Sequence, residues 1–135
     1  MKKEKSCGAV LFTQGENGRR YLVIQSINGH YTMCKGHVEG SETEHETAIR
    51  EIREETGLEV EFVENFRHVI TYSPYVGCTK DVVFFLARVT GGVLTCQPEE
   101  VKQANFLPVD AALAALTHPS DRDVLAAAEH TLANR

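Results

Sequence analysis

Three glutamates near the middle of the chain have the spacing of residues that share one face of a helix. Glu51, Glu54 and Glu55 stand at i, i+3 and i+4, so their carboxylates fall within an arc of about 100° if residues 42–56 are helical. Like charges at this spacing destabilise a helix by roughly a few tenths of a kcal/mol per pair unless a cation neutralises them. Carboxylate oxygens suit hard cations, Mg²⁺ first and Mn²⁺ or Ca²⁺ next. The spacing predicts either a metal site or a solvated acidic face.

The negative charge of the chain is concentrated around these three residues. The 135 residues include 14 Lys and Arg against 19 Asp and Glu, which gives a formal net charge of −5. The window 39–55 alone holds seven Glu against two Arg, so the rest of the chain is balanced. This distribution predicts one anionic site on a neutral body and argues against an extended nucleic-acid surface.

The elements that must position these glutamates are predicted from apolar runs and turn residues. The predicted strands are 6–13, 20–25, 60–66, 68–72, 81–88 and 105–107, with a further short segment at 31–35. The predicted helices are 42–56, 110–116 and 121–133. We expect a capping box at Ser41 and a left-handed Gly57 to bound the first helix, and Ser120 with Asp123 to cap the last. Such a set predicts an α/β (α+β) fold in which a mixed sheet carries helices on both faces, within one domain over 1–135.

Composition and cysteine usage indicate the class of protein. Hydrophobic residues make up 42% of the chain and charged residues 24%, as in ordinary globular proteins. The longest apolar runs, 82–87 and 111–116, are far shorter than the roughly 20 residues of a membrane-spanning helix. The four cysteines form no Cys-x-x-Cys pair, which favours free thiols. Because no cleavage site follows the basic start, we expect a cytoplasmic protein.

The segment around the three glutamates matches a known signature. Residues 36–58 read GHVEGSETEHETAIREIREETGL, which agrees at every specified position with the Nudix box, G-x5-E-x7-R-E-U-x-E-E-x-G-U, where U is aliphatic. The matching positions are Gly36, Glu42, Arg50, Glu51, Ile52, Glu54, Glu55, Gly57 and Leu58. The chain therefore resembles the Nudix (MutT-like) hydrolases, and the predicted elements on both sides of the box are similar to that family's whole domain.

This resemblance implies a Nudix-type α/β/α sandwich that hydrolyses a nucleoside diphosphate linked to another moiety. In the reaction it implies, water attacks phosphorus with the help of divalent metals, Mg²⁺ or alternatively Mn²⁺. By position, the implied metal ligands are Gly36 through its carbonyl, Glu51, Glu54 and Glu55. The acidic helix alone would repel a nucleotide, so the metal is needed for binding as well as for rate.

The resemblance also implies roles for residues outside that helix face. Glu100 precedes an aromatic strand residue at a spacing similar to the family's, which implies a further metal ligand. Glu100 and Glu54 are the two candidates for the catalytic base, Glu99 is the alternative to Glu100, and a solvated loop carboxylate is the simpler interpretation. Arg50 joins the implied catalytic set through a pair with Glu42 that braces the loop against the helix.

Residues beside the box narrow the substrate. Lys35-Gly36-His37 and the segment 79–87, where a Lys leads into an aromatic-rich strand, are similar to asymmetric dinucleoside tetraphosphate hydrolases. The substrate-binding residues that this implies are Lys35, His37, Tyr72 and Lys80, with Tyr75 as an alternative to Tyr72 for stacking on adenine. The competing interpretation is that each of these is an ordinary residue of a strand edge or a loop. Cys34 stands where these enzymes usually have Pro, a departure that concerns the loop and the substrate rather than the metal site.

The leading hypothesis is Mg²⁺-dependent hydrolysis of a dinucleoside polyphosphate, with diadenosine tetraphosphate going to ATP and AMP. The alternatives are a (d)NTP pyrophosphohydrolase of the MutT type, an enzyme acting on capped or triphosphorylated RNA ends, and a non-catalytic nucleotide-binding module. The intact set of three glutamates argues against the last, because a pure binder does not need it. We expect a small-molecule nucleotide as the partner, no membrane contact, and a monomer or homodimer.

Overall fold

A computed structural model describes all residues, Met1–Arg135. The strands are β1 (Lys2–Gly15), β2 (Gly18–Ser26), β3 (Tyr31–Thr32), β4 (Cys34–His37), β5 (Leu58–Phe62), β6 (His68–Tyr72), β7 (Cys78–Gly92) and β8 (Val101–Pro108). The helices are α1 (Glu44–Thr56), α2 (Val109–Ala115) and α3 (Pro119–Ala133). None of the three helices has the length and apolar character of a membrane span.

All eight strands belong to one mixed sheet organised around β1. Strand β1 runs parallel to β7 over most of its length, and the other pairings are antiparallel. On its other side β1 changes neighbour: residues 6–9 pair with β4, and residues 12–15 pair with β2. Strands β2 and β4 therefore separate at the middle of β1, close to the start of the glutamate-bearing segment.

The alternation of side chains on the sheet produces two apolar cores. Val10 and Phe12 of β1 pack in the core beneath α2 and α3. Ala9 and Leu11, on the opposite face, pack in the core beneath α1 with Ile52. Helices on both faces of a mixed sheet confirm the predicted fold class.

The starts of α1 and α3 were placed wrongly from the sequence. The capping box of α1 is at Thr43, not Ser41: the Thr43 hydroxyl accepts from the Glu46 N–H at 3.1 Å, and the Glu46 carboxylate accepts from the Thr43 N–H at 2.8 Å. The competing box fails because Glu42 is held in the loop by other partners. Helix α3 begins at Pro119, whose missing N–H costs nothing in the first turn, so Ser120 lies inside the helix and caps nothing.

Other boundaries differ for reasons of pairing. The 31–35 segment splits at Met33 because β3 pairs with β2 whereas β4 pairs with β1. Strand β5 ends at Phe62, where its pairing with β7 ends, and not at residue 66 as predicted. The end of α1 is confirmed, since Gly57 adopts the left-handed conformation at φ 72° and its N–H donates to the Arg53 carbonyl.

Candidate active site

The three glutamates of α1 have different environments. Ala48 and Ile52 are fully buried against the sheet, which fixes the rotation of the helix. The Glu51 side chain is 12% exposed, whereas that of Glu54 is 50% exposed. Glu51 and Glu55 therefore lie at the border of the core, and Glu54 projects toward solvent.

Arg50 braces the loop before α1 against the helix. Its Nε donates to Glu42 Oε2 at 2.7 Å and its Nη2 donates to Glu42 Oε1 at 3.1 Å and to the His37 carbonyl at 2.8 Å. Its Nη1 donates to Glu51 at 2.8 Å and to Glu54 at 3.2 Å. One guanidinium thus joins the loop to both glutamates, and this is the brace expected from the sequence.

Glu42 is held as a carboxylate on the loop side of that brace. Besides Arg50, the Thr47 hydroxyl and the Glu39 N–H each donate to it at 3.0 Å. The hydrogen bonds from Arg50, followed by that from the Glu39 N–H, lower the pKa of Glu42 to about 2. The loop is therefore fixed by an ionised group throughout the physiological pH range.

Glu55 faces inward, toward Glu51 and the buried Cys34 thiol. Burial, opposed by a hydrogen bond with Cys34 and reinforced by the charge of Glu51, raises the pKa of Glu55 to about 8. Burial also raises the pKa of the Cys34 thiol well above its usual range. Cys34 is thus an inert neighbour of the glutamate pair, a contact that sequence reasoning missed.

Gly36 lies directly against this glutamate pair. A Cβ at Gly36 would fall 2.0 Å from the Glu51 carboxyl carbon. Only glycine permits that approach of the strand backbone to Glu51, and Glu55 lines the same cavity as Gly36.

A cavity of about 190 Å³, here named the charged cavity, opens where β2 and β4 separate. Six predicted site residues line it: Lys35, Gly36, His37, Glu55, Lys80 and Glu100. Glu99, the alternative to Glu100, is not among its lining residues. Burial, and then the positive charge of Lys35, lower the pKa of Lys80, so the two ammonium groups are electrostatic neighbours. The cavity combines carboxyl groups with two lysines.

A second cavity of about 290 Å³, the tyrosine cavity, adjoins the first through their shared wall at Lys35. Its other lining residues are Ile70, Tyr72, Val82, His118, Pro119, Ser120 and Asp121. Tyr75, the alternative to Tyr72, lies elsewhere, with its hydroxyl donating to Glu4 at 3.2 Å.

Comparison with known proteins identifies the family. The NUDIX domain profile matches residues 3–128. The chain belongs to the Nudix hydrolase family. The asymmetrical bis(5′-nucleosyl)-tetraphosphatase of Mus musculus is 34% identical over 96 residues, which cover 63% of this chain and 65% of that protein. The 8-oxo-(d)GTP phosphatase of Mycolicibacterium smegmatis is 40% identical over 95 residues, which cover 70% of this chain and 29% of that protein.

Solved structures confirm the Nudix fold. A C. elegans Ap4A hydrolase in a binary complex superposes with a TM-score of 0.88 at 22% identity, covering 98% of this chain and 99% of that one. A Listeria monocytogenes NUDIX hydrolase gives a TM-score of 0.80 at 19% identity, covering 96% and 94%. At these identities the likeness concerns the fold.

The glutamate carboxyl groups of the Nudix box do not converge on one position that a metal ion could occupy. No three His, Cys, Asp or Glu side chains are arranged as ligands of one metal ion. Arg50 holds Glu54 on the outer side of the helix, whereas Glu51 and Glu55 face each other beside Gly36. The two facing carboxyl groups fit a divalent cation, since they are neighbouring oxygen donors and a cation would favour their ionised forms. Glu54 would have to leave Arg50 to join them.

Sequence reasoning missed the contribution of α3. Asp121 is 3% exposed in the wall of the tyrosine cavity and accepts from the Thr32 hydroxyl at 3.3 Å. Lys35 Nζ donates to the same hydroxyl at 3.0 Å, so a short polar chain connects the two cavities. Only tertiary folding brings these residues together, and no local spacing indicates it.

Proposed function

We propose that this Nudix protein hydrolyses dinucleoside polyphosphates with the help of Mg²⁺, with diadenosine tetraphosphate going to ATP and AMP. The observation that carries the proposal is the composition of the charged cavity, where Glu55 and Glu100 line the same space as Lys35 and Lys80. Carboxylates suit a cation, and lysines suit the phosphates that the cation accompanies. The mouse relative, an asymmetrical bis(5′-nucleosyl)-tetraphosphatase, supports this choice of substrate.

The metal would be held by the carboxylates of Glu51 and Glu55 together with the Gly36 carbonyl, and by Glu54 once it leaves Arg50. When bound, a divalent cation neutralises charge on the phosphoanhydride oxygens and makes water a better nucleophile. Arg50 positions Glu51 and has no direct contact with substrate in this scheme. Its bonds to Glu42 keep the loop, and with it Gly36, at the right distance.

The proton of the attacking water goes to Glu100 in this proposal. Glu100 lines the charged cavity, whereas Glu54 is bound to Arg50 outside it, and this favours Glu100 over Glu54 as the base. The phosphate oxygens of the substrate are bound by Lys35, Lys80 and the His37 side chain, which also line the charged cavity. Positive charge there also stabilises the leaving phosphate.

The tyrosine cavity receives a nucleoside in this proposal. Tyr72 is 45% exposed, so one face of its ring is free to stack on a base. The tyrosine cavity has a volume of about 290 Å³, close to the lower limit for small-molecule sites. This volume suits a single base better than a whole nucleotide. Lys35, on the wall that both cavities share, would bind the first phosphate after the ribose.

A second candidate function is the hydrolysis of a nucleoside triphosphate, including an oxidised one. It is favoured by the 40% identity to the 8-oxo-(d)GTP phosphatase of M. smegmatis, although the match covers 29% of that protein. The same glutamates would hold the metal, and the products would be a nucleoside monophosphate and pyrophosphate.

Product analysis over a substrate panel separates the two functions. The protein is incubated with Mg²⁺ and diadenosine tetraphosphate, dGTP, 8-oxo-dGTP or triphosphorylated RNA, and products are resolved by chromatography. We expect the highest kcat/KM for the dinucleotide, with ATP and AMP in equal amounts. Pyrophosphate from a triphosphate, with the dinucleotide left intact, would establish the second function instead.

A further inference from the structure

Ser6 carries a buried polar atom that the protein itself does not satisfy. The residue is 0% exposed, and its Oγ is the one buried side-chain N or O atom without a hydrogen-bond partner. Buried hydroxyl groups are nearly always paired, because an unpaired one destabilises the fold. Ser6 also belongs to the wall of the charged cavity. An unpaired hydroxyl at this place calls for a ligand.

The strand register places Ser6 between two lysines. Ser6 pairs with Val82 of β7 on one side and with His37 of β4 on the other. Lys80 and Lys35 stand two residues before these partners on their strands. Residues two apart on a strand share a face, so both lysines are diagonal neighbours of Ser6 on its own face.

Both lysines lack a carboxylate partner. Neither forms an ion pair within 4.0 Å, and Lys35 Nζ instead donates to the neutral Thr32 hydroxyl. Glu4, the register partner of Lys80, is 3.6 Å from Lys2. Two neighbouring ammonium groups that no carboxylate binds directly, with a hydroxyl donor between their strands, are complementary to an anion with several oxygens.

We propose that Ser6 is a substrate-binding residue whose hydroxyl donates a hydrogen bond to an oxygen of the phosphate group held between Lys35 and Lys80. This inference rests on the proposed function, because the phosphate belongs to the polyphosphate chain of that substrate. A hydrogen bond from a hydroxyl to an anionic oxygen is short and about twice as strong as one between neutral groups. The bond satisfies Ser6 only when substrate is bound, so it favours the complex over the free protein.

Two serine variants test this inference. Ser6→Ala removes the unpaired hydroxyl. Ser73→Ala is the control, because Ser73 lines neither cavity and its hydroxyl already has the Tyr75 and Cys78 carbonyl oxygens as partners at 2.8 Å. The probe is inorganic tripolyphosphate in the presence of MgCl₂, titrated by calorimetry, and thermal unfolding is measured on each free protein.

We expect Ser6→Ala to bind tripolyphosphate about tenfold more weakly than the wild type and Ser73→Ala to bind it normally. The unfolding temperature of free Ser6→Ala should equal or exceed that of the wild type, since alanine buries no unpaired polar atom. Wild-type affinity in Ser6→Ala, or no binding by the wild type, would overturn the inference. A lower unfolding temperature for Ser6→Ala would also overturn it, because the hydroxyl would then have a partner in the free protein.

The same preparations separate this inference from the proposed reaction. Release of ATP and AMP from diadenosine tetraphosphate by the wild type tests the reaction alone. If the wild type gives no nucleotide products, the reaction is wrong, whereas the comparison of tripolyphosphate affinities still decides the role of Ser6.

Discussion

The two cavities that meet at Lys35 are built in different ways. The carboxyl side, defined as Gly36, Arg50, Glu51, Glu54 and Glu55, comes from one continuous segment, the 23 residues of the Nudix box. Lys80 of β7 and Glu100, in the turn before β8, complete the charged cavity around it. The nucleoside side is the tyrosine cavity, which is assembled mainly from β6, β7 and the start of α3. Its residue Asp121 accepts a hydrogen bond from Thr32, which is 89 positions away in the chain. In the proposed function the metal ligands are therefore encoded locally, whereas the choice of substrate depends on tertiary structure.

The two sides are also stabilised by contacts in different places, one within the side itself and the other at the far end of a helix. Arg50 fixes the carboxyl side from within, through hydrogen bonds to its own loop and helix. Helix α3 is anchored from its far end, where Glu129 accepts from Tyr21 Oη at 2.6 Å and from both Arg19 Nε and Nη2. Substitutions near the box should therefore alter turnover, and substitutions around α3 should alter affinity for the nucleoside.

The largest effect is expected for Glu55→Gln. Removing this carboxylate should lower turnover at least ~100-fold, because an oxygen ligand of the metal loses its charge. Thermal unfolding should show no loss of stability, since burial already favours the neutral form of Glu55 and glutamine is neutral and of nearly the same size. Glu46→Gln is the control on the same helix, because glutamine also serves in a capping box. Normal turnover in Glu55→Gln would remove Glu55 from the metal site.

The next effect is expected for Arg50→Lys. Lysine keeps the charge but cannot donate to Glu42, Glu51 and the His37 carbonyl together, so turnover should fall about 10- to 100-fold and the unfolding temperature should drop. Arg53→Lys is the control, since its ion pair with Glu59 is more than half exposed and contributes little. Steady-state kinetics measures the turnover of each variant, and calorimetry measures its unfolding temperature. Equal turnover and equal unfolding temperature in the two variants would refute the bracing role.

A smaller and different effect is expected on the nucleoside side. Tyr72→Ala should raise KM for diadenosine tetraphosphate about tenfold, because stacking of one base is lost, and should leave kcat nearly unchanged. Its affinity for tripolyphosphate, which has no base, should stay at the wild-type level. Tyr75→Ala is matched in residue type and exposure but lies outside the cavity. If both variants raise KM equally, the tyrosine cavity does not bind the base.

The smallest effect concerns stability in acid at the start of α1. Hydrogen bonds from Arg67, and a weaker one from Lys5, lower the pKa of Glu44 from its ordinary 4.5 to about 2. A lowered pKa stabilises the fold above the unfolded value, so this contribution is complete above about pH 4.5 and is lost as the pH falls toward 2. Urea unfolding of the wild type and Glu44→Gln should differ above pH 4.5 and converge toward pH 2. A difference that is constant with pH would show that Glu44 acts through packing alone.

The carboxyl side was predictable because its rules are local. Helical spacing placed Glu51 and Glu55 at the border of the core, and Gly57 ended the helix as expected. The same spacing did not separate Glu54 from the other two, because its outward position depends on Arg50. The cap of α1 was misplaced for a related reason, since Glu42 is drawn into the loop.

The nucleoside side was predictable only in part. Tyr72 and Lys80 were selected by resemblance, and the antiparallel register that pairs them became visible only in the sheet. Asp121 and His118 carry no motif, because a residue at the start of a C-terminal helix enters a cavity only after the chain has folded. Ser6 lies in an apolar strand sequence, and its unpaired hydroxyl is a property of burial that spacing cannot indicate.

We propose that the carboxyl side supports metal-dependent hydrolysis of a dinucleotide whose base is held in the tyrosine cavity. The most direct test is the time course of diadenosine tetraphosphate cleavage by the wild type, with MgCl₂ or with excess EDTA, and with ATP, AMP and ADP quantified separately. We expect ATP and AMP in equal amounts with MgCl₂ and no products with EDTA. Cleavage that continues in EDTA, or an intact dinucleotide with MgCl₂, would contradict it.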